Sequence, residues 1–286
     1  MIQRLSIIGV GLIGGSFARD LRALGLVDEI VGHGRSLGNL QLAVELGVID
    51  RAVVKASDAV HDADMVLVAV PVGSIPQVLE EIAPALGDKT IVTDVGSVKQ
   101  SVIEAARAAL GDRFANFVPG HPIAGTENSG VGASLEGLFR DRQVILTPVP
   151  ETDNAAAAQV NDLWQAVGAQ VTLMDPAAHD RVLAASSHLP HMVAFTLMDQ
   201  LVRMDEHREI FECSAGGLRD TTRIAGSDAA IWRDIALGNR EMLLDLLRQY
   251  QFDIAELIGA IERGDAKWLL ETFNRARRGR EMLNKL

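Results

Sequence analysis

Along the first 174 residues, short and nearly continuous apolar runs recur between stretches in which apolar residues fall three and four apart. The runs Leu5 to Ile8, Glu29 to Gly32, Met65 to Val70, Thr90 to Asp94, Asn116 to Pro119, Gln143 to Thr147 and Gln170 to Met174 read as strands. They lack the alternation of a half-exposed strand, so both of their faces are expected to be covered. Gly14 to Leu24, Leu40 to Leu46, Ser74 to Leu86, Ser97 to Leu110 and Asn154 to Val167 read as the covering helices. After Asp175-Pro176 no convincing strand appears, and Ala177 to Met204 and Asp228 to Arg263 carry helical spacing. The pattern predicts an α/β domain with a parallel sheet over residues 1–174 and an all-α domain over 175–286. The long helix expected across Asp228 to Arg263 has apolar residues on more than one face, including Ile231, Ile235, Met242, Leu243, Leu246, Leu247, Ile254 and Leu257. Such a helix needs more than one neighbour: either an intrachain bundle or, favoured by the burial argument, a dimer interface.

Gly9-Val10-Gly11-Leu12-Ile13-Gly14 follows the first strand and opens the first helix, the context that makes a glycine pattern informative. Gly9 allows the tight turn, Gly11 lets backbone approach a pyrophosphate, and Gly14 lets helix pack on strand. The helix N-terminus, beginning with Leu12 and Ile13, then faces the anion. A Rossmann-type dinucleotide-binding domain is the reading. The second strand ends in Gly32-His33-Gly34-Arg35-Ser36, without the carboxylate that usually holds the adenine ribose; Asp28 and Glu29 lie at the wrong end. Gly34, Arg35 and Ser36 therefore suit a 2′-phosphate, which favours NADP. NAD is the alternative, with Arg35 as a solvated loop residue. Val70 and Pro71, ahead of Val72 at a later strand end, would line the dinucleotide crevice or simply pack there.

Composition narrows the partners. The 286 residues are 48% hydrophobic and 23% charged, enough for two cored domains and too apolar for disorder. Their net charge of -11 argues against nucleic acid and against a polybasic membrane anchor. Cys213 stands alone, so no intramolecular disulfide and no cysteine-based zinc site can form, and a reducing cytoplasm fits. The apolar run at the N-terminus is too short for a signal peptide, and no later window is long enough for a membrane span.

Two further segments look chemical. Asp94-Val95-Gly96-Ser97-Val98-Lys99 and Gly120-His121-Pro122-Ile123-Ala124-Gly125-Thr126-Glu127 each follow a strand, at the sheet edge where open α/β folds bind ligands. His121 there could take a hydroxyl proton as hydride leaves carbon. Ser97 could orient it, cap the following helix, or do both. His188 and His191 stand three apart but lack a carboxylate at metalloprotease spacing, so no metal is expected. Pro190 between them predicts a kink or break.

Gly9-Val10-Gly11-Leu12-Ile13-Gly14-Gly15-Ser16, Asp94 to Lys99, His121 to Gly130, Ser187-His188-Leu189-Pro190-His191 and Gly217 to Ala225 together resemble the prephenate/arogenate dehydrogenases of tyrosine biosynthesis, in order and across essentially the whole chain. The resemblance implies NAD(P)-dependent oxidative decarboxylation: hydride leaves the ring carbinol, carbon dioxide departs and the ring aromatises. It implies His121 as the base at the ring hydroxyl, Ser97 bridging it to the nicotinamide, and Thr126 and Glu127 at the cleft, with Glu127 as the gating acid. Arg223 matches the carboxylate-binding arginine, with Arg219 one helical turn away. His188 and His191 become substrate-cleft residues, and Trp232 a residue reaching the neighbouring subunit of a homodimer. Prephenate and arogenate stay open as substrates. The chain is expected to carry neither a chorismate mutase before the cofactor domain nor a regulatory domain after the helices. A β-hydroxyacid-type dehydrogenase would need a lysine within residues 177–204, where none occurs. A non-catalytic dinucleotide sensor would have no use for His121 and Arg223.

Overall fold

The structure of the protein, a computed structural model, describes residues 1–125 and 128–285. The chain divides into two compact units, Met1–Arg240 and Glu241–Leu286. In the first, β1 (Ile2–Ile8), β2 (Val27–His33), β3 (Arg51–Val53), β4 (Met65–Val68), β5 (Ile91–Asp94) and β6 (Phe117–Val118) form a parallel sheet in the order β3-β2-β1-β4-β5-β6. The order reverses at β1/β4, the switch point where ligands of such sheets bind. Helices α1 (Leu12–Ala23), α2 (Leu37–Glu45), α3 (Ala56–Val60), α4 (Ile75–Ile82) and α5 (Gln100–Leu110) connect the strands.

Alternate residues of β1 serve opposite faces. Leu5 and Ile7 join a core with Phe17 and Leu21 of α1, whereas Ile8 joins Val31, Val66 and Val68 in a second core that includes Leu79 and Ile103. Burial on both sides is why these strands read as unbroken apolar runs. β3 and α3 escaped the pattern because three and five residues are too few to show a period.

The strand expected at Asn116 to Pro119 is present, and an unexpected strand follows it at once in a second sheet. β6 ends the parallel sheet, and β7 (Gly120–Pro122) pairs antiparallel with β8 (Gln143–Leu146), which runs parallel to β9 (Gln170–Leu173). Pro119 lies between them with no N–H to offer a ladder. α6 (Asn154–Ala166) brings Trp164 against Phe17 and Phe139 at centroid separations of 4.5 and 5.0 Å, seating the second sheet's helix on α1.

Beyond β9 the described residues are helical, as expected. α7 (Pro176–Leu183) runs through a wide π-helical turn, Ala184–His188, into α8 (Leu189–Val202). The turn lies just ahead of Pro190, which has no N–H for the regular ladder, so the anticipated break takes this form. α9 (His207–Glu212), α10 (Gly216–Thr222) and α11 (Ala229–Gly238) follow. The single long helix expected across Asp228 to Arg263 is instead α11 and α12 (Arg240–Glu262), interrupted at Asn239. Asn239 is 3% exposed and its backbone leaves the helical region (φ -113°, ψ 37°) while its side-chain amide donates to the Asp180 carbonyl at 2.7 Å. The second unit continues from α12 into α13 (Ala266–Leu283), whose start Asp265 caps by accepting from the Trp268 N–H at 3.0 Å.

The turn after β1 is shaped by close approach. Gly9 has φ +103°, and a Cβ there would lie 2.3 Å from the Ala69 carbonyl oxygen. One on Gly14 would lie 2.5 Å from the Gly9 oxygen, whereas one on Gly11, which immediately precedes α1, would meet nothing within 4 Å. Gly14→Ala is therefore expected to cost about 1–3 kcal/mol of stability through overpacking. Gly11→Ala should change stability by no more than about 1 kcal/mol and instead weaken dinucleotide binding. Denaturant unfolding and dinucleotide titration of both variants check this contrast.

Candidate active site

Backbone hydrogen bonds string the functional segments along one edge of the parallel sheet. Gly9 N–H donates to the His33 carbonyl at 2.8 Å, Ala69 to Ile8 at 2.7 Å and Val95 to Val68 at 3.2 Å. Gly120 N–H then donates to Asp94 Oδ1 at 3.1 Å, adding the start of β7 to the row. The glycine turn, the segment Val70-Pro71, the turn carrying Ser97 and the strand carrying His121 thus share the carboxyl edge.

At the far end, Arg35 and Ser36 are exposed. Ser36 caps α2 by accepting from the Asn39 N–H at 3.2 Å, which leaves its O–H free to donate. Gly34 packs loosely, its hypothetical Cβ 3.7 Å from Leu40. Asn39, which sequence reasoning missed, donates to the Val10 carbonyl at 2.7 Å and accepts from the Val131 N–H at 2.8 Å, tying the glycine turn to the loop beyond β7. Leu12 and Ile13 occupy the first turn of α1, and Val70 borders the turn, its Cγ1 3.0 Å from where a Cβ on Gly9 would stand. The open space over Gly11 is the fit a pyrophosphate requires.

His121, 8% exposed, sits in β7 with its Nδ1 2.9 Å from Nε2 of His179 on α7. His179 Nδ1 is 2.8 Å from Asp180 Oδ1. The Asp180 carboxylate also accepts from the Lys99 N–H at 2.7 Å and the Gln100 N–H at 2.9 Å. Burial acts to raise its pKa, but the hydrogen bonds from His179, Gln100 and Lys99 outweigh it and hold the carboxyl below its ordinary value. Asp180 is therefore an acceptor only, so His179 donates to it from Nδ1, and the neutral ring presents a bare Nε2 to His121. His121 must then carry its own proton on Nδ1, leaving Nε2 with a lone pair. Burial, followed by His179, Lys99 and His188, pushes the His121 pKa well below 6.5, so the ring is neutral at neutral pH.

Lys99 is wholly buried, with Nζ 2.5 Å from Asp94 Oδ2 and 2.6 Å from the Gly120 carbonyl. Burial lowers its pKa, and Asp94 opposes that. Ser97 departs from one expectation: it is not the helix cap, because α5 starts at Gln100 and the Asp180 carboxylate takes the leading amides. Half-buried on the same edge, Ser97 keeps a hydroxyl without a protein hydrogen bond among the described residues.

On the helical side, His188 is 1% exposed and its Nδ1 lies 3.1 Å from the Asn239 amide. Burial lowers its pKa to about 4 against the opposing pull of Asp180, with His179 and His191 assisting. His191 donates from Nδ1 to the Ser187 carbonyl at 2.9 Å and stacks on Trp232 at 3.4 Å. Trp232 thus stacks on a histidine of its own chain. Arg223 lies near enough to His191 to help lower its pKa, after burial. Arg219, one turn earlier on α10, is exposed. Thr126 and Glu127 lie outside the described residues. Sequence reasoning missed His179, Asp180 and Asn239, and passed over Lys99 beside Ser97. Their signal was polarity on an otherwise apolar helical stripe: His179, Asp180, Leu183 and Ala184 are all buried. Among the described residues no group of three His, Cys, Asp or Glu could hold a metal.

This sheet order, with a glycine turn at the switch point, defines the class of Rossmann-type dinucleotide-binding proteins. The nucleotide-binding domain of prephenate dehydrogenase matches residues 17–173, and the prephenate dehydrogenase dimerization domain matches residues 175–275. The chain is 38% identical to the cyclohexadienyl dehydrogenase of Zymomonas mobilis, over 98% of this chain and 96% of that one. It is 36% identical to a prephenate dehydrogenase from A. aeolicus solved with hydroxyphenyl propionate and NAD+, at a TM-score of 0.91 and 99% coverage of both chains. An arogenate dehydrogenase from Synechocystis superposes with a TM-score of 0.81 at 30% identity, covering 98% of this chain and 99% of that one. The chain belongs to the prephenate dehydrogenase family.

The buried histidines make stability pH-dependent. His188 has a folded pKa of about 4 against 6.5 for the free side chain, so between those values the unfolded chain binds more protons. The stability its neutral form contributes is present above pH ~6.5 and lost as pH falls toward 4, an integrated effect of about 3 kcal/mol, with His121 acting in the same sense. Thermal midpoints measured across this window should fall on acidification, and His188→Gln should flatten the slope.

Proposed function

We propose that this protein catalyses the NAD(P)-dependent oxidative decarboxylation of prephenate or arogenate in tyrosine biosynthesis, giving 4-hydroxyphenylpyruvate or tyrosine. The observation that carries the reading is buried His121, engaged through Nδ1 by His179 in a strand that adjoins the carboxyl edge bearing the glycine turn, in a chain related over 98% of its length to a cyclohexadienyl dehydrogenase. Gly9, Gly11 and Gly14, with the amides of Leu12 and Ile13, would hold the dinucleotide, which when bound supplies a hydride acceptor. His121 accepts the ring hydroxyl proton, and Ser97 contributes a hydroxyl at the same edge. Aromatisation makes loss of carbon dioxide downhill, so the residues' main work is orientation. Arg223 and Arg219 hold substrate carboxylates, while His191, Trp232 and His188 form the wall on that side; Thr126 and Glu127 belong to the same proposed cleft.

Three finer points belong to the proposal. NADP is favoured over NAD, because β2 ends without a carboxylate and among the described residues Arg35 has no ion-pair partner. A cytoplasmic homodimer is favoured, supported by the dimerization-domain match and by the exposed Phe252, Ile258, Ile261, Leu270 and Phe273 on α12 and α13. No helix among the described residues is long and apolar enough to cross a membrane. The domain division proposed is a dinucleotide domain over 1–174 and a substrate and dimerisation domain over 175–286.

Steady-state turnover with each of the two substrates against each of the two dinucleotides tests the reading, and activity with neither substrate sinks it. His121→Asn should lower kcat by about 10²–10⁴-fold with dinucleotide binding retained; unchanged turnover would favour a sensor. Arg35→Ala should raise the KM for NADP by about 10–100-fold, the worth of a charge-assisted hydrogen bond, and leave that for NAD alone. Equal wild-type activity with both dinucleotides removes the Arg35 argument.

A further inference from the structure

The chain from His121 through His179 to Asp180 does more than hold a ring in place. We infer that His179, oriented by Asp180, is a positioning residue for His121 that fixes its tautomer and takes up its Nδ1 proton when Nε2 accepts the substrate's hydroxyl proton. This rests on His121 being the base, as proposed above.

Among the neutral tautomers of the two rings, one arrangement satisfies both contacts. If His121 Nδ1 accepted from a protonated His179 Nε2, the neutral His179 would face Asp180 with a second lone pair at 2.8 Å. That contact is repulsive unless Asp180 is protonated, and the carboxylate accepting two backbone amides and an imidazole N–H disfavours that. The Asp180 carboxylate therefore sets His179, and His179 sets His121.

The proton balance follows. The substrate O–H bond breaks and a proton arrives on His121 Nε2. The Nδ1 proton of His121 passes across 2.9 Å to His179 Nε2. His179 becomes an imidazolium that retains its Nδ1 proton toward the Asp180 carboxylate, and His121 is again neutral. One proton has entered the pair and none has left. His179 is 0% exposed, so when product departs the proton must return through His121 and leave from Nε2 to water. An isolated His121 would be a poor acceptor, because it is buried with the Lys99 ammonium and His188 nearby. Moving the charge to His179 places it against a fixed anion. The titratable groups around the pair are Asp94 of β5, Lys99 before α5, Asp180 of α7 and His188 of the π-helical turn. Of these, Asp180 is the carboxylate in hydrogen-bonding contact with an imidazole of the pair.

His179→Gln separates relay from support, since the Gln Oε1 can still accept from His121 Nδ1 but cannot take its proton. We expect His179→Gln to lower kcat about tenfold or more, with KM within about twofold of wild type. The acid limb of kcat/KM should move to lower pH, because His121 alone holds a proton less tightly than the pair beside Asp180. His179→Ala should in addition raise KM. Wild-type kcat and an unmoved acid limb in His179→Gln would overturn the relay, and so would a loss in His179→Ala fully rescued by Gln. Should the variants fail to fold, ¹⁵N NMR of the wild-type histidines decides. Protons on Nδ1 of both His121 and His179 support the inference, and a proton on His121 Nε2 in the free enzyme overturns it. A wild-type protein inactive on both substrates would instead strike the proposed function, leaving the tautomer measurement to stand separately.

Discussion

The geometry of the candidate site depends on one buried ion pair. Lys99 and Asp94 have fully buried side chains, and burying two charges costs more than their attraction returns unless other hydrogen bonds take up the remaining donors and lone pairs. Here they do. The ammonium also binds the Gly120 carbonyl, and the carboxylate also accepts from the amides of Gly96 and Gly120. Every one of those contacts falls on the turn that carries Ser97 or on the first residue of β7. The pair therefore fixes where His121 stands relative to the end of β5. Removing either partner would leave an uncompensated charge, a penalty of about 3–5 kcal/mol in the region where position matters most.

A second restraint comes from the helical segment. Asp180 reaches across to the amides that α5 leaves unsatisfied at its start, so a carboxylate at a helix N-terminus does the work of a local cap. The same carboxylate aligns His179. Asn239 then binds the Asp180 carbonyl and His188, at the cost of the helical continuity between α11 and α12. The helical residues of the first unit thus supply wall and anchor together, and the short break at Asn239 is part of the polar network.

What could be read from sequence and what could not divides along sequence distance. Continuous apolar runs such as Met65 to Val68 and the strand-turn-helix context of Gly9 to Gly14 are local signals, and the parallel sheet and glycine turn were legible from them. His121, Arg223 and the other proposed site residues could be nominated by motif. The partners of His121 could not. His179 lies 58 residues from His121, and Asp180 81 residues from Lys99, and no local pattern encodes a contact closed only by the fold. The same reason hid β7: the three residues after Pro119 do not read as a strand until their partners in the second sheet are known. Local capping logic also misled at Ser97, because the competing carboxylate comes from a helix far along the chain.

The overall acidity and the proposed anionic ligands are compatible once distance is considered. Charges separated by more than about 8–10 Å in physiological salt are largely screened, so the net charge of -11 acts mainly on extended partners such as nucleic acid. Within that range the local inventory decides. Asp94 and Asp180, the carboxylates of this hydrogen-bonded network, are already engaged by an ammonium, an imidazole and backbone amides, so neither projects an unopposed negative field. Arg223 acts electrostatically on His191. The proposed anionic substrate, approaching that side, would meet a guanidinium that has no ion pair among the described residues. It would also meet a neutral imidazole at His121, and both are needed if binding is not to protonate the base.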